Sequence, residues 1–201
     1  MIKFLPAGWI AGIGFILGTL IMGAILADYN VVSQTVSEIG QAGSPLKRAF
    51  LIFSLSIGTL LILFSMGLIS FSKKYSLSVI PGIFLLTFGL AEFGIGAFAS
   101  PHPLHNVFGL SMTIGYFSPF LFFILWRDKL GGRFKWISLL VFVMVIVGIF
   151  LNLSPLFAPN LYPIEYYGLV QRFLLYSFYG YCAYVSITTI GYHRSAQSTK
   201  D

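Results

Sequence analysis

Six stretches of this chain are long, apolar and almost free of charge: about residues 9–27, 49–71, 75–98, 104–126, 136–154 and 166–192. About 20 helical residues at 1.5 Å each cross a hydrocarbon core of about 30 Å, so every stretch is near or above spanning length. Composition agrees, with 57% hydrophobic and 9% charged residues over 201, where an ordinary soluble domain carries about 25% charged. The pattern predicts an all-α, polytopic membrane protein: one six-transmembrane-helix bundle filling residues 1–201, with no soluble domain.

The formal charge of +6 matters through its placement. Lys3, Lys73, Lys74, Arg127, Lys129, Arg133, Lys135, Arg194 and Lys200 flank the N-terminus, the 2–3 and 4–5 connections and the C-terminus, whereas the opposite side holds only Lys47 and Arg48. By the positive-inside rule both termini are cytoplasmic, in a multi-pass protein of the cytoplasmic (plasma) membrane. No basic-aromatic groove offers a nucleic acid a path. The first apolar run is too long for a signal-peptide core, and Ile25 spoils an A-x-A cleavage site before Ala27, so it is expected to be retained. Cys182 is the only cysteine, which excludes an internal disulfide and a cysteine-based zinc site.

Most connections are short. The exception, Asp28 to Arg48, reads DYNVVSQTVSEIGQAGSPLKR. Val32, Val36 and Ile39 recur at helical spacing with polar residues on the other faces. The expectation is one short amphipathic helix along the interface, stopped by Gly40, Gly43 and Pro45, with a plain surface loop as the alternative. Gly8 with Gly12, Gly14 with Gly18, and the seven-residue series Gly82, Gly89, Gly96 mark faces where helices approach closely. The tail from Arg194 to Asp201 reads as frayed.

Two charged residues lie inside predicted spans. Glu92 sits between Gly89 and Gly96 and so faces protein. Counting from the span ends puts it about 9 Å below the outer boundary, and Arg172 about 12 Å below the same boundary. An arginine at mid-membrane costs about 2.5–3.5 kcal/mol, and intramembrane charges usually pair. A buried Glu92–Arg172 ion pair joining the third and sixth spans is the first expectation; Arg172 snorkelling to a lipid phosphate is the alternative. Tyr176 and Tyr179, one and two turns beyond Arg172, are placed to line the same face and donate to Glu92.

Further polar groups gather at the same end: His102, His105 and Asn106 opening the fourth span, Asn152, Glu165 and Gln171 around the fifth connection, and Glu38 in the long loop. His105, Gly109 and Thr113 repeat every four residues, a face directed into the bundle. The His102/His105 pair matches no zinc motif, and Pro103 between them disturbs a shared face. Helix capping or a headgroup contact is preferred over a metal, and neither metal nor cofactor is expected. No G-x-S-x-G is present, and Ser37, His105 and Glu92 are one combination among many, which weakens a serine hydrolase. The polar residues stop halfway, against a through-membrane pathway.

The motifs SEIG at Ser37–Gly40, HNVFG at His105–Gly109 and GLVQR at Gly168–Arg172, in that order across six spans, resemble the prokaryotic membrane family called domain of unknown function 998. More distantly, the loop pattern SEIG followed by Pro45 and Phe50, with a histidine opening the fourth span, is similar to damage-regulated autophagy modulators and glycosylphosphatidylinositol-lipid-remodelling membrane proteins. Glu38 stands where that distant group usually has aspartate. The distant resemblance implies work on or beside membrane lipids; the nearer family carries no established activity.

The resulting expectation is a membrane protein with a polar pocket in the outer leaflet for a lipid headgroup or small amphiphile, lined by Glu38, His105, Asn106, Gln171, Arg172 and Tyr176, with Arg172 toward phosphate. The alternatives are a membrane-embedded lipid hydrolase or transferase using histidine and carboxylates, with or without a metal, and, third, a transporter subunit. Membrane lipids are the expected partners; a homo-oligomer or another membrane protein is left open.

Overall fold

The computed structural model describes residues 1–198. After a 3-10 turn at Ile2–Phe4 come α1 (Ala7–Ile25), α2 (Val36–Ile39), α3 (Lys47–Lys74), α4 (Ile80–Ala97), α5 (Pro103–Tyr116), α6 (Ser118–Leu125), α7 (Arg127–Leu153) and α8 (Tyr167–Ser198). Among the described residues there is no strand. Six helical segments are long and apolar enough to cross a membrane: Ile2–Ile25, Lys47–Lys74, Ile80–Ala97, Pro103–Leu125, Lys129–Leu156 and Ile164–Ser198. Their outer faces carry exposed side chains such as Leu17, Ile21, Ile52, Leu110 and Ile187, which suits acyl chains as the surrounding solvent.

The boundaries follow local chemistry. Tyr75 ends α3 with its N–H on the Phe71 carbonyl, Ser76 turns the chain at φ 54°, and Pro81 enters the first turn of α4, so the third span starts later than hydropathy implies. The fourth span is two helices. Pro119, in the first turn of α6, has no N–H for the ladder, and its ring crowds the preceding turn. α7 is broken near its start at Gly131, whose φ of 87° favours glycine. At the far end α8 continues through Arg194 to Ser198, so the first part of the expected frayed tail is helical; residues 199–201, Lys200 among them, lie outside the described residues.

Close backbone approach, with little hydrophobic drive available between helices in lipid, holds the bundle. The glycine series of α4 is its seam with α3: a Cβ at Gly82 or Gly89 would come to 3.0 Å of Ile69 and Ile62, and at Gly96 to 2.7 Å of Ser54. α1 meets α8 where Gly12 lies against the Tyr179 carbonyl and Ala183, and Phe15 stacks on Tyr179 at 3.7 Å between centroids. α5 leans on α4, with Phe88 over Gly115 and Phe108 over Gly94. α6 packs on α7 through Phe120–Phe142 and Phe122–Phe134. The bend at Phe117 therefore sends α6 to α7 while α5 stays with α4, and a gap opens between α5 and the α7–α8 pair.

The long loop departs from expectation. Its short helix is a single turn whose apolar side is covered by protein: Val36 and Ile39, 4% and 0% exposed, insert between the spans, while Val32 stays at the surface. Glu38 stabilises the turn, accepting from the Thr35 N–H at 2.9 Å and the Thr35 hydroxyl at 2.8 Å. Gly40 admits the Phe50 ring beneath it.

These seams predict a sharp contrast between two glycines of spanning helices. Gly12→Ala drives a methyl into the backbone of α8 and should cost about 1–3 kcal/mol, whereas Gly180→Ala, with no atom within 4 Å of the added carbon, should be tolerated. Thermal unfolding of both variants in detergent checks this.

Candidate functional site

The first turns of α8 receive the long loop. A Cβ at Gly168 would lie 2.5–2.8 Å from the carbonyls of Gln34, Val31 and Val32, so glycine is what lets those oxygens descend onto the helix. One turn on, Arg172 meets them. Its Nη1 donates to Val31 O at 2.8 Å, Gln34 O at 2.7 Å and Gly168 O at 3.0 Å, and its Nη2 donates to the Tyr29 hydroxyl. The Tyr29 hydroxyl donates onward to Thr35 O at 2.7 Å, and the guanidinium lies 5.6 Å from the centre of its ring. Burial lifts the Tyr29 phenol above its ordinary value, although Arg172 pulls the other way, so it remains a neutral donor near neutral pH. Leu169 N–H on Val32 O at 3.0 Å and Gln171 Oε1 accepting from Val36 N–H at 2.7 Å complete the tether.

The expected Glu92–Arg172 pair is therefore not formed, and Arg172, 4% exposed, does not snorkel either. Neutral oxygens hold its two Nη groups, while its Nε is buried without a hydrogen-bond partner. Nη1 has two N–H groups for its three carbonyls, so one is shared; at about 1.5–3 kcal/mol for each hydrogen bond to a charged group, the three N–H groups in use offset a burial cost of about 2.5–3.5 kcal/mol without a carboxylate. Glu92 lies deeper, beside Ser54 of α3 and Tyr179 of α8. Depths counted from the span ends assume that the ends are level. Tyr179 is seven residues beyond Arg172, about 10 Å along the helix, so α8 overtops α4. Tyr176 turns the other way, its hydroxyl 3.0 Å from Thr19 of α1.

The gap beside α5 is a cavity of about 490 Å³ reaching from the loop down to Tyr116. Of the residues expected to line a pocket, His105, Asn106 and Gln171 line this one; Arg172 and Tyr176 do not, and Glu38 lines a separate open pocket beside Tyr29 and Gln34. Glu38 is engaged within the loop, where it also accepts from Gln34 Nε2 at 3.1 Å. The whole His105, Gly109, Thr113 face opens onto the cavity. Glu92 lines it too, which hydropathy and glycine spacing did not signal, because both described only its helix seam. Asn152, bound through Nδ2 to Gly148 O and Val170 O, Ser37, Tyr116 and Tyr167 supply the remaining polar wall; apolar walls come from Leu110, Leu174 and Leu175. Among the described residues no lysine or arginine lines it.

His105 ties the roof of this cavity together. Its Nδ1 is 2.9 Å from Phe98 O, an acceptor only, so Nδ1 donates there and Nε2 is left facing the Ser37 hydroxyl at 3.2 Å. His102 instead caps α5, accepting from Leu104 N–H at 3.2 Å. Among the described residues no three histidines, cysteines or acids stand together as a metal would require. The SEIG, HNVFG and GLVQR segments thus converge on one spot, joined by Ser37–His105 and Val36–Gln171.

Fold and composition define a multi-pass helical membrane protein with a side cavity. A family model described as protein of unknown function (DUF998) matches residues 9–188, and the chain belongs to that family. No curated protein matches the chain. No solved structure matches it either.

Two variants separate the observed tether from the expected pair. Arg172→Lys keeps the charge but loses the fork and should destabilise by about 2–4 kcal/mol. Combining Arg172→Glu with Glu92→Arg should give no rescue beyond the sum of the single changes, read by expression level and thermal unfolding.

Proposed function

We propose that the cavity binds the head of a membrane amphiphile, admitted sideways between α5 and α7. The observation that carries this reading is its form: about 490 Å³, walled by polar groups such as His105, Asn106, Gln171 and Glu92 together with leucines, with Leu110 and Leu153 on its wall yet 71% and 47% exposed. A cavity that reaches the lipid-facing surface suits a ligand with a polar head and a hydrocarbon tail. The basic residues flanking the opposite end support cytoplasmic termini in the cell membrane, with the cavity in the outer leaflet. Membrane lipids are then the partners.

A second reading is favoured by one contact. Ser37 Oγ faces Nε2 of His105 inside the cavity, the arrangement by which a histidine takes a serine proton as the oxygen attacks an ester carbonyl and later returns it to the leaving alcohol. A fluorophosphonate probe should then label Ser37, and Ser37→Ala should abolish the labelling; absence of labelling on the wild-type protein removes this reading and leaves binding intact.

The binding reading is tested at Gly109, which lines the cavity with no atom within 4 Å of an added Cβ. Gly109→Leu should fill the cavity without disturbing the bundle. Native mass spectrometry of protein released from nanodiscs should show a retained lipid on the wild type and at least a tenfold loss on Gly109→Leu, roughly the effect of 1–3 kcal/mol; equal retention by both would overturn the proposal.

A further inference from the structure

The cavity holds one carboxylate and no fixed cation. Glu92 is 3% exposed and lines it, and among the described residues no lysine, arginine or histidine pairs with its oxygens. Two hydroxyls adjoin it, Ser54 Oγ and Tyr179 OH, and both are buried. These hydroxyls face the carboxylate as donors, yet neither carries charge, and a buried carboxylate without a cation beside it points to a missing counter-charge. The one nearby guanidinium that could have neutralised the acid is held by loop carbonyls in α8's first turns. Around the carboxylate the cavity wall is aromatic, with Phe15 and Tyr116, and ring faces attract cations.

We propose that Glu92 receives the ammonium group of the bound amphiphile, making this a site for amine-bearing lipids rather than anionic ones. The assignment rests on the binding reading above and names the ligand class for it. An ammonium supplies what the spot lacks: a positive charge and N–H donors for the carboxylate. A primary amine fits this donor demand better than a quaternary one, which has no N–H. The Asn106 and Gln171 amides nearer the roof are neutral donors for the phosphate or ester oxygens that follow the amine. An anionic headgroup without an amine would set its charge near Glu92 with no lysine or arginine on the wall to balance it.

The test uses the full chain in nanodiscs of equal phosphatidylethanolamine and phosphatidylglycerol, with native mass spectrometry of the retained lipid. The wild type should retain the amine lipid at about tenfold or more over phosphatidylglycerol, the effect of one charge-assisted contact. Glu92→Gln, which keeps shape and removes charge, should erase the preference while lipid is still retained, and Glu92→Asp should restore part of it. Retention with no preference, or with preference for phosphatidylglycerol, overturns the assignment and leaves the binding reading standing; no retained lipid on the wild type overturns the binding reading itself. The preference is measured on the wild type alone, so failure of a variant to fold does not remove the test. If sodium chloride raises the wild-type unfolding temperature over choline chloride at equal ionic strength and Glu92→Gln abolishes the difference, an inorganic cation fills the spot and the amine assignment falls.

Discussion

A buried guanidinium with no acid beside it organises one end of this molecule. Arg172 draws the carbonyls of Val31 and Gln34 and the hydroxyl of Tyr29 onto the first turns of α8, and Gly168 is the clearance that lets them arrive. The donors of arginine form a rigid planar fork, so several carbonyls can be met at once where an ammonium would meet them singly. The result is a loop held in one conformation over the bundle. Its backbone oxygens, which water would otherwise solvate, are satisfied by the same charge that would otherwise be stranded in lipid.

That fixed loop roofs the cavity. Val36 and Ser37 reach its wall because Gln171 holds the Val36 N–H and His105 holds the Ser37 hydroxyl, so α8 and α5 both set where the single turn of α2 sits. The space underneath has a separate origin in the proline-directed bend of the fourth span, which commits α6 to α7 and leaves α5 with α4. Roof and void arise from different residues, and the cavity needs both.

Within the cavity the electrostatics are lopsided. The chain's one intramembrane arginine is occupied by backbone carbonyls, which leaves Glu92 as the acid that a ligand meets beside the His105–Ser37 contact and several amides. In a low-dielectric setting such an acid is a strong discriminator between headgroups of opposite sign.

Sequence by itself determined the class: six spans, the faces that pack and the polar end, because hydropathy, glycine spacing and helical periodicity are local properties of the chain. The Gly82–Gly89–Gly96 stripe is a seam, and the His105–Gly109–Thr113 face does turn inward. Only tertiary structure decided partners. Matching Glu92 to Arg172 assumed that spans end at one level, yet the offset of α8 against α4 is set by packing of Gly12 on Tyr179 and Gly96 on Ser54, contacts far apart in sequence. Nor could periodicity show that Arg172 binds backbone, since every residue carries the same carbonyl and nothing in the letters marks which ones a fold will bring near.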